Sequence, residues 1–506
     1  MRTYLKYFDK KLLLIFFIAV LFNTVPQFYL WDHISDDAFI SFRYADRMLN
    51  GHGLTFNDGE KVEGFSSPLW IFAISFFSKV TQLSLPDITR ALGLISSISL
   101  LFFIYLISKI LLDSNKSFAL FLCISFCLFF TPGFHVYNTA GLEGPLLSLL
   151  LVTTVYFSIT NKHRHLTIAA FLIGLVGIIR PEGLLYGLLW LIFTYKFNSY
   201  NIYSFSKRIL IVLLPSLLYV SFRLIYYGEI LPNTAFAKPS GTYSHLFGTN
   251  DNFLYLVVIS IPLTIIILYH YFKFDGHHKK FILSVAGLLL ANFIFIVYAG
   301  GDWMFFGRFF LPVWPILLTA FFFLLLNFLT SISTDNFTLK YLTYLCLITF
   351  IITQLLLFKD QWFIYKSNDN IANVMKGKDQ LVVGQWLNQN FKPGTSVATF
   401  RLGGISYGAP KLVFYDTFGL TDKEVTNFRR GKHINYNVRQ NPVIKRKPNI
   451  LAIINDHGSR SLTVETIKGL EYFLVNNYVL IRSFPQGTGV FFEIWVDKEE
   501  KDKILF

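Results

Sequence analysis

The sequence predicts a polytopic α-helical membrane protein of about eleven spans, with a C-terminal α/β domain beyond the last span. Composition, long apolar runs and a change of character near residue 360 predict it. Of 506 residues, 53% are hydrophobic and 15% charged, and Phe occurs 56 times. Soluble domains carry about 25% charged residues, so a soluble enzyme, a fibrous protein and a disordered chain are excluded. Mean hydropathy is +0.49. Apolar runs at 12–22, 94–112, 281–298 and 309–329 approach the roughly 20 residues that cross a bilayer.

The N-terminus reads Met1-Arg-Thr-Tyr-Leu-Lys6, then Lys10-Lys11, then apolar residues to Trp31. A positive start before an apolar stretch also describes a signal peptide, but no small-x-small site ends this one. An uncleaved anchor with a cytoplasmic N-terminus is the expectation. Spans follow at 11–31, 91–112, 117–134, 145–160, 165–180, 183–197, 208–227, 253–272, 281–298, 309–330 and 339–358. Alternate loops then sort by charge. One set holds Lys116, Lys162, Arg164, Lys196, Lys207, Arg208, Lys273, Lys279, Lys280 and Lys340, which reads as cytoplasmic under the positive-inside rule. The other holds Asp36, Asp37, Glu143, Glu182, Glu229 and Asp302. Acidic groups at membrane depth are costly and line cavities or sites, and here they share the extracytoplasmic side. The apolar stretch 68–80 is too short to span and reads as an interfacial helix in an outer loop covering 32–90.

The membrane domain is expected over 1–360 and the extracytoplasmic domain over 361–506. Apolar periodicity at Leu381, Val382, Trp386, Leu387 and Phe391 predicts an amphipathic helix. Short β-rich runs at 395–400, 411–418, 450–455, 478–484 and 489–496 are separated by Gly, Pro and Asn turns. The net charge of +14 is shared between membrane loops and tail; it fixes topology and implies no nucleic-acid partner. Cys123, Cys127 and Cys346 sit in apolar runs without zinc or disulfide spacing, as small core residues do.

The first outer loop carries the densest chemistry: Ser35-Asp-Asp-Ala-Phe-Ile-Ser-Phe-Arg-Tyr44, Gly51-x-Gly53-Leu-Thr-Phe-Asn57 and Val62-Glu-Gly64. Ser35 can cap a helix whose first turn holds both aspartates. Neighbours on a helix point about 100° apart, so one carboxylate can face a cavity while the other is held by backbone or an arginine. Acids in a first turn also suit the helix dipole alone. Four more segments shift that balance: Asn138-Thr-Ala-Gly-Leu-Glu-Gly-Pro145, Arg180-Pro-Glu-Gly183, Tyr226-Tyr-Gly-Glu-Ile-Leu-Pro-Asn-Thr-Ala-Phe-Ala-Lys238 and Gly300-Gly-Asp-Trp-Met-Phe-Phe-Gly-Arg308. Each sets a charge beside Gly or Pro at the outer end of a span, where irregular backbone persists if it lines a cavity.

Together these segments resemble bacterial membrane glycosyltransferases of the GT-C fold, in particular the family of the mycobacterial terminal β-(1→2)-arabinofuranosyltransferase and its Gram-negative relatives. The matching residues are the Asp36–Tyr44 run, Gly51, Gly53 and Asn57, Glu63-Gly64, Gly141-Leu-Glu143, Arg180-Pro-Glu182, Pro232-Asn233, Lys238, Gly301-Asp302-Trp303 and Arg308. In the tail they are Asp416–Asp422, Gly431-Lys-His433 and Lys447-Pro448. Two departures are Ser66-Ser67-Pro68, where relatives often carry Thr-Asn, and Glu143-Gly144-Pro145, where they often carry Glu-Thr.

The resemblance implies inverting transfer of a hexosyl or pentosyl unit from a polyprenyl-phosphate sugar to an envelope glycan or glycolipid, at the outer face of a bacterial inner membrane. Nucleotide sugars are cytoplasmic, so an outward site needs a donor already flipped across in lipid form. Transfer needs a base for the acceptor hydroxyl and cations for the phosphate leaving group. Asp36 is assigned as base and Asp37 as orienting or metal-binding, a choice the residues alone leave open. Arg43, Arg180, Lys238 and Arg308 are the phosphate candidates, and a divalent ion held by acids is an alternative. Glu63, Glu143, Glu182, Asn233 and Asp302 are assigned to substrate, Tyr44 to sugar stacking and His433 to the acceptor. A transporter or flippase of lipid-linked sugars is the rival reading, but no paired broken helices or related halves appear. An oligosaccharide polymerase or ligase of the same fold is the other.

Overall fold

The computed structural model describes residues 10–160, 163–198, 202–237, 276–299, 304–331, 359, 377–430, 436–462, 467–487 and 489–504. The helices of the membrane part are α1 (Lys10–Tyr29), α2 (Asp36–Leu49), α3 (Pro68–Thr81), α4 (Leu85–Leu111), α5 (Ser114–Phe129), α6 (Pro132–Thr139), α7 (Gly144–Ile159), α8 (His163–Ile179), α9 (Gly183–Asn198), α10 (Ile202–Tyr227), α11 (Asn233–Ala237), α12 (Gly276–Ala299) and α13 (Trp314–Ser331). Of these, α4, α10 and α12 are long and apolar enough to cross a membrane. Shorter apolar helices include α7, α8 and α9. The chain is a multi-pass membrane protein. Expected spans at 253–272 and 339–358 lie outside the described residues, as does the expected domain boundary at 360/361; the other expected spans overlap helices, 117–134 across two of them.

One span departs from its expectation. The stretch 117–134 is not straight: α5 and α6 meet at a bend of 71°. Pro132 stands at the start of α6, where its missing N–H and fixed φ suit a new helix. The turn redirects the chain toward Gly141-Leu-Glu143. The 68–80 stretch forms α3, whose Trp70, Ile71 and Ile74 are buried while Phe76 and Val80 are exposed.

The C-terminal region contains α14 (Gly377–Asn390), β1 (Ser396–Thr399), α15 (Gly403–Gly408), β2 (Val413–Asp416), α16 (Lys423–Arg430), β3 (Tyr436–Asn437), α17 (Pro442–Lys445), β4 (Ile450–Asp456), β5 (Ser459–Ser461), β6 (Ile467–Lys468), α18 (Leu470–Asn477), β7 (Tyr478–Gly487), β8 (Val490–Asp497) and α19 (Lys501–Ile504). Its main sheet runs β2-β1-β4-β8-β7, with β5 paired to β4. The β1–β2 and β1–β4 pairs are parallel, while β4–β8 and β7–β8 are antiparallel. Residues of β4 such as Ile450, Leu451, Ala452 and Ile453 are fully buried, the pattern of a strand covered on both faces.

What joins this region to the membrane helices is a set of close backbone approaches. Gly377 N–H donates to Ile34 O at 2.7 Å, and Gly404 N–H donates to Asp36 at 2.7 Å. A Cβ on Gly403 would collide with the Asp36 carbonyl, and one on Gly404 with the Gly377 carbonyl and, at 2.9 Å, with Leu381 N. These obstacles are backbone and cannot swing away. Gly404→Ala is expected to cost roughly 1–3 kcal/mol, the usual scale of overpacking. Denaturant unfolding of the purified full chain should show the loss, and proteolysis of the C-terminal region should accelerate; unchanged unfolding would mean the junction has slack.

Candidate active site

Helix periodicity separates the two aspartates as it must. Asp36 opens α2 and turns toward the C-terminal region: its carboxylate accepts Gly404 N–H at 2.7 Å and Gly403 N–H at 3.4 Å. The Gln380 amide, oriented to donate, adds a further contact. Burial pushes the Asp36 carboxyl up to about 6 against the lowering effect of Gly404, with Asp37 raising and Arg401 lowering it further. Asp36 does not line the cavity described next. Asp37, one residue on, does.

That cavity, of about 550 Å³, lies where helix ends of the membrane part meet residues of the C-terminal region, within the ~300–1,000 Å³ typical of small-molecule sites. Its charged lining is Asp37, Glu143, Arg180, Glu182, Arg308 and Arg430. Arg308 approaches Asp37 at 3.6 Å. Arg180 bridges Glu143 at 2.7 Å and Glu182 at 3.2 Å, and these three side chains are no more than 14% exposed. Phe309 sits against both guanidinium groups, its ring centroid 5.3 Å from Arg180 and 4.9 Å from Arg308. Leu231, Phe236, Phe295 and Tyr298 supply an apolar flank.

Local folding explains how these charges reach one place. Gly141 has φ +81, and a Cβ there would press on Ala38 at 2.9 Å and Phe42 at 3.1 Å. The loop is held by Ser35 N–H to Ala140 O at 3.0 Å and Trp70 Nε1 to Gly141 O at 3.0 Å. Glu143 therefore emerges beside α2. Arg180-Pro-Glu-Gly183 is a tight turn between α8 and α9, closed by Gly183 N–H to Arg180 O at 2.8 Å. Arg308 follows a left-handed pair, Phe306 at φ 68 and Gly307 at φ 66. A non-glycine residue at such φ costs about 1–3 kcal/mol, and the buried Phe306 ring holds it there.

The other sequence-derived candidates part into two groups. Arg43 is buried and donates to three backbone carbonyls: Phe56 at 3.0 Å, Leu412 at 3.2 Å, and Ser406. Rings of Phe56 and Phe414 flank it. A guanidinium so saturated is no phosphate ligand. Tyr44 donates to Val62 O at 2.7 Å and accepts Gly64 N–H at 2.9 Å, so it closes a loop and presents no face to a sugar. Glu63 pairs with Arg223 and accepts Tyr219 Oη at 2.8 Å. Asn233 donates to Gly419 O at 2.7 Å and Leu420 O at 2.9 Å, tying α11 to the C-terminal region. Lys238, Asp302, Trp303 and His433 lie outside the described residues. Sequence reasoning missed Arg430, Phe309 and Arg223; only the alternation of Arg and aromatics along 305–310 and 428–430 hinted at the first two.

Among the described residues no three His, Cys, Asp or Glu side chains converge to hold a metal ion. The cavity's acids already have guanidinium partners, and that donor set does not fit a divalent cation.

Linkage follows from the raised Asp36 carboxyl. Between about pH 4 and pH 6 the folded state binds a proton that the unfolded chain has released, so stability falls as pH rises through that window. Asp36 contributes roughly 3 kcal/mol of that loss; the buried Asp416, pushed up to about 6 by the same cause, adds a similar slope, so Asp36→Asn should make the fall clearly shallower without abolishing it. Unfolding midpoints of both proteins from pH 4 to pH 7 measure this; parallel curves would remove Asp36 as the cause.

Comparisons with known proteins bear on the fold and on the sequence family. Residues 369–500 match a family model described as Domain of unknown function (DUF8728). The chain is 29% identical over 281 residues to the terminal β-(1→2)-arabinofuranosyltransferase of Mycobacterium tuberculosis, covering 50% of this chain and 43% of the relative. It is 27% identical over 336 residues to that of Corynebacterium glutamicum, covering 56% and 47%. It thus spans just under half the length of these relatives. Among solved structures, ArnT from Cupriavidus metallidurans bound to undecaprenyl phosphate aligns with TM-score 0.58 at 10% identity over 96% of this chain and 98% of that one. The Archaeoglobus fulgidus oligosaccharyltransferase aligns with TM-score 0.56 at 11% identity over 88% and 69%. The chain thus has the GT-C fold of these membrane proteins and resembles, in sequence, the terminal β-(1→2)-arabinofuranosyltransferases.

Proposed function

We propose that this protein is an integral-membrane glycosyltransferase that moves a hexosyl or pentosyl unit from a polyprenyl-phosphate donor to an envelope glycan or glycolipid. One observation carries the reading: a single cavity joins a carboxylate, Asp37, to arginines and to an apolar flank. A polyprenyl chain fits the flank of Leu231, Phe295 and Tyr298, and its phosphate fits arginine forks. The likeness to terminal β-(1→2)-arabinofuranosyltransferases and to ArnT, which binds undecaprenyl phosphate, supports the same class.

In the proposed step the acceptor hydroxyl gives its proton to Asp37 and its oxygen attacks the anomeric carbon from the face opposite the phosphate. The anomeric C–O bond to phosphate breaks with its electron pair, and polyprenyl phosphate leaves with inversion. Arg308, and Arg430 on the C-terminal side, neutralise the phosphate as charge develops. The base is thus Asp37, with Asp36 as the clamp that fixes the turn bearing it. Arg180 holds Glu143 and Glu182 as acceptors for sugar hydroxyls. Phosphate contacts by Lys238 and sugar contacts by Asp302 and His433 remain part of the proposal.

Eleven spans, a cytoplasmic N-terminus, inner-membrane location and an extracytoplasmic tail complete the reading. Reporter tags at residues 1 and 506 should then report from opposite sides, and reporters on one side would remove the shared outer face. Asp37→Asn should reduce transfer by about 10²–10⁴, the scale of one acid–base group. Mass spectrometry of surface glycans and lipid-phosphate sugars, in a deletion strain complemented with wild type or Asp37→Asn, checks it. A glycan one residue short with donor accumulating is the expected result; an intact glycan in the Asp37→Asn strain would overturn the assignment.

A further inference from the structure

A second cavity of about 250 Å³ lies between the end of α10, the segment leading into α11, and α16 of the C-terminal region. Six of its nine lining residues are charged or amide-bearing, so it offers no lane for a lipid chain. Lys423, Asn427 and Arg430 line it at spacings of four and three along α16, one face of a helix. Opposite stand Tyr227, Glu229 and Phe236. Lys423 is engaged with Glu229 at 3.2 Å. Asn427 and Arg430 are exposed and, among the described residues, have no hydrogen-bond or ion-pair partner; Arg430 rests on the Phe236 ring at 4.6 Å.

Leu231, Phe236 and Arg430 line both this cavity and the larger one, so the two meet there. An occupant reaching from one to the other passes an aromatic face, a guanidinium and an amide. Carbohydrate recognition uses that set: donors and acceptors for hydroxyl groups and a ring for the sugar's C–H face. We infer that this second cavity is an acceptor subsite, holding the sugar of the acceptor glycan next to the one that receives the new unit. The inference rests on the transfer reading above. Asn427 reads the hydroxyl groups, and Arg430 marks the neck between acceptor and leaving phosphate. The size, below the ~300–1,000 Å³ of most small-molecule sites, admits one sugar unit and excludes a lipid-linked donor.

The test uses the full-length protein in its own membranes. A compact photoreactive diazirine amino acid of about leucine's size replaces Asn427 in one strain and Phe295 in another, and the adducts are analysed by mass spectrometry. A saccharide adduct at 427 with a polyprenyl phosphate adduct at 295 is expected; a polyprenyl adduct at 427, or no saccharide there, overturns the subsite. In parallel, Asn427→Trp fills the cavity from an exposed helix position and should lower the completed glycan at least about tenfold while the lipid-linked sugar persists. Asn427→Ala should lower it less than about threefold. A full glycan in the Asn427→Trp strain overturns the subsite. The Asp37→Asn strain keeps the two questions apart, since an intact glycan there defeats the transfer reading whatever the behaviour of residue 427.

Discussion

The arrangement depends on the Arg43 guanidinium, buried between α2 and the C-terminal region and, among the described residues, without a carboxylate bonded to it. Its charge is met by carbonyls of Phe56, Ser406 and Leu412 and by two aromatic rings. A buried cation tolerates no vacancy in such a shell. Three separate segments are therefore held in register by one side chain. Asn57 repeats the device beside it, donating to Phe414 O at 2.7 Å and accepting Phe414 N–H at 3.1 Å. In this way the loop after α2 pairs with the backbone of β2, an edge strand of the sheet.

That constraint accounts for the division of the motif residues. A run rich in charge and glycine has two uses in a membrane protein with a large C-terminal region: to line a cavity, and to satisfy backbone where two bodies meet. Asp36, Arg43 and Asn57 serve the second use, Asp37, Glu143, Arg180, Glu182 and Arg308 the first, and Asn233 both. Adjacent residues in one helical turn serve different ones, because about 100° of rotation per residue carries Asp36 to Gly404 and Asp37 to Arg308.

Much of the architecture was legible because hydrophobic length and β-rich runs are one-dimensional signals. The runs at 395–400, 450–455 and 489–496 overlap β1, β4 and β8, and the periodicity around Trp386 lies in α14. The bend at Pro132 was not read from the apolar run 117–134, since hydropathy ignores direction. Within the site, the acids and arginines at helix ends stood out as types, but their partners did not. Nothing in the spacing of residues 36 and 404, or 43 and 412, indicates contact, because such pairs exist only once the sheet has docked. Arg430 was passed over for the same reason: in sequence it is one of two arginines closing a short polar helix.

The glycine junction also bears on how molecules enter and leave. Gly377, Gly403 and Gly404 bring backbone against backbone, and interfaces packed to that density do not hinge by small degrees. Leu420 and Arg430, which wall the main cavity, belong to the C-terminal region held by that junction. A roof fixed so closely is a poor door. Exchange is left to the flank of Leu231, Phe295 and Tyr298, where Tyr298 is 72% exposed. On the transfer reading proposed above, a lipid-linked donor then reaches the cavity sideways, along the plane of the bilayer.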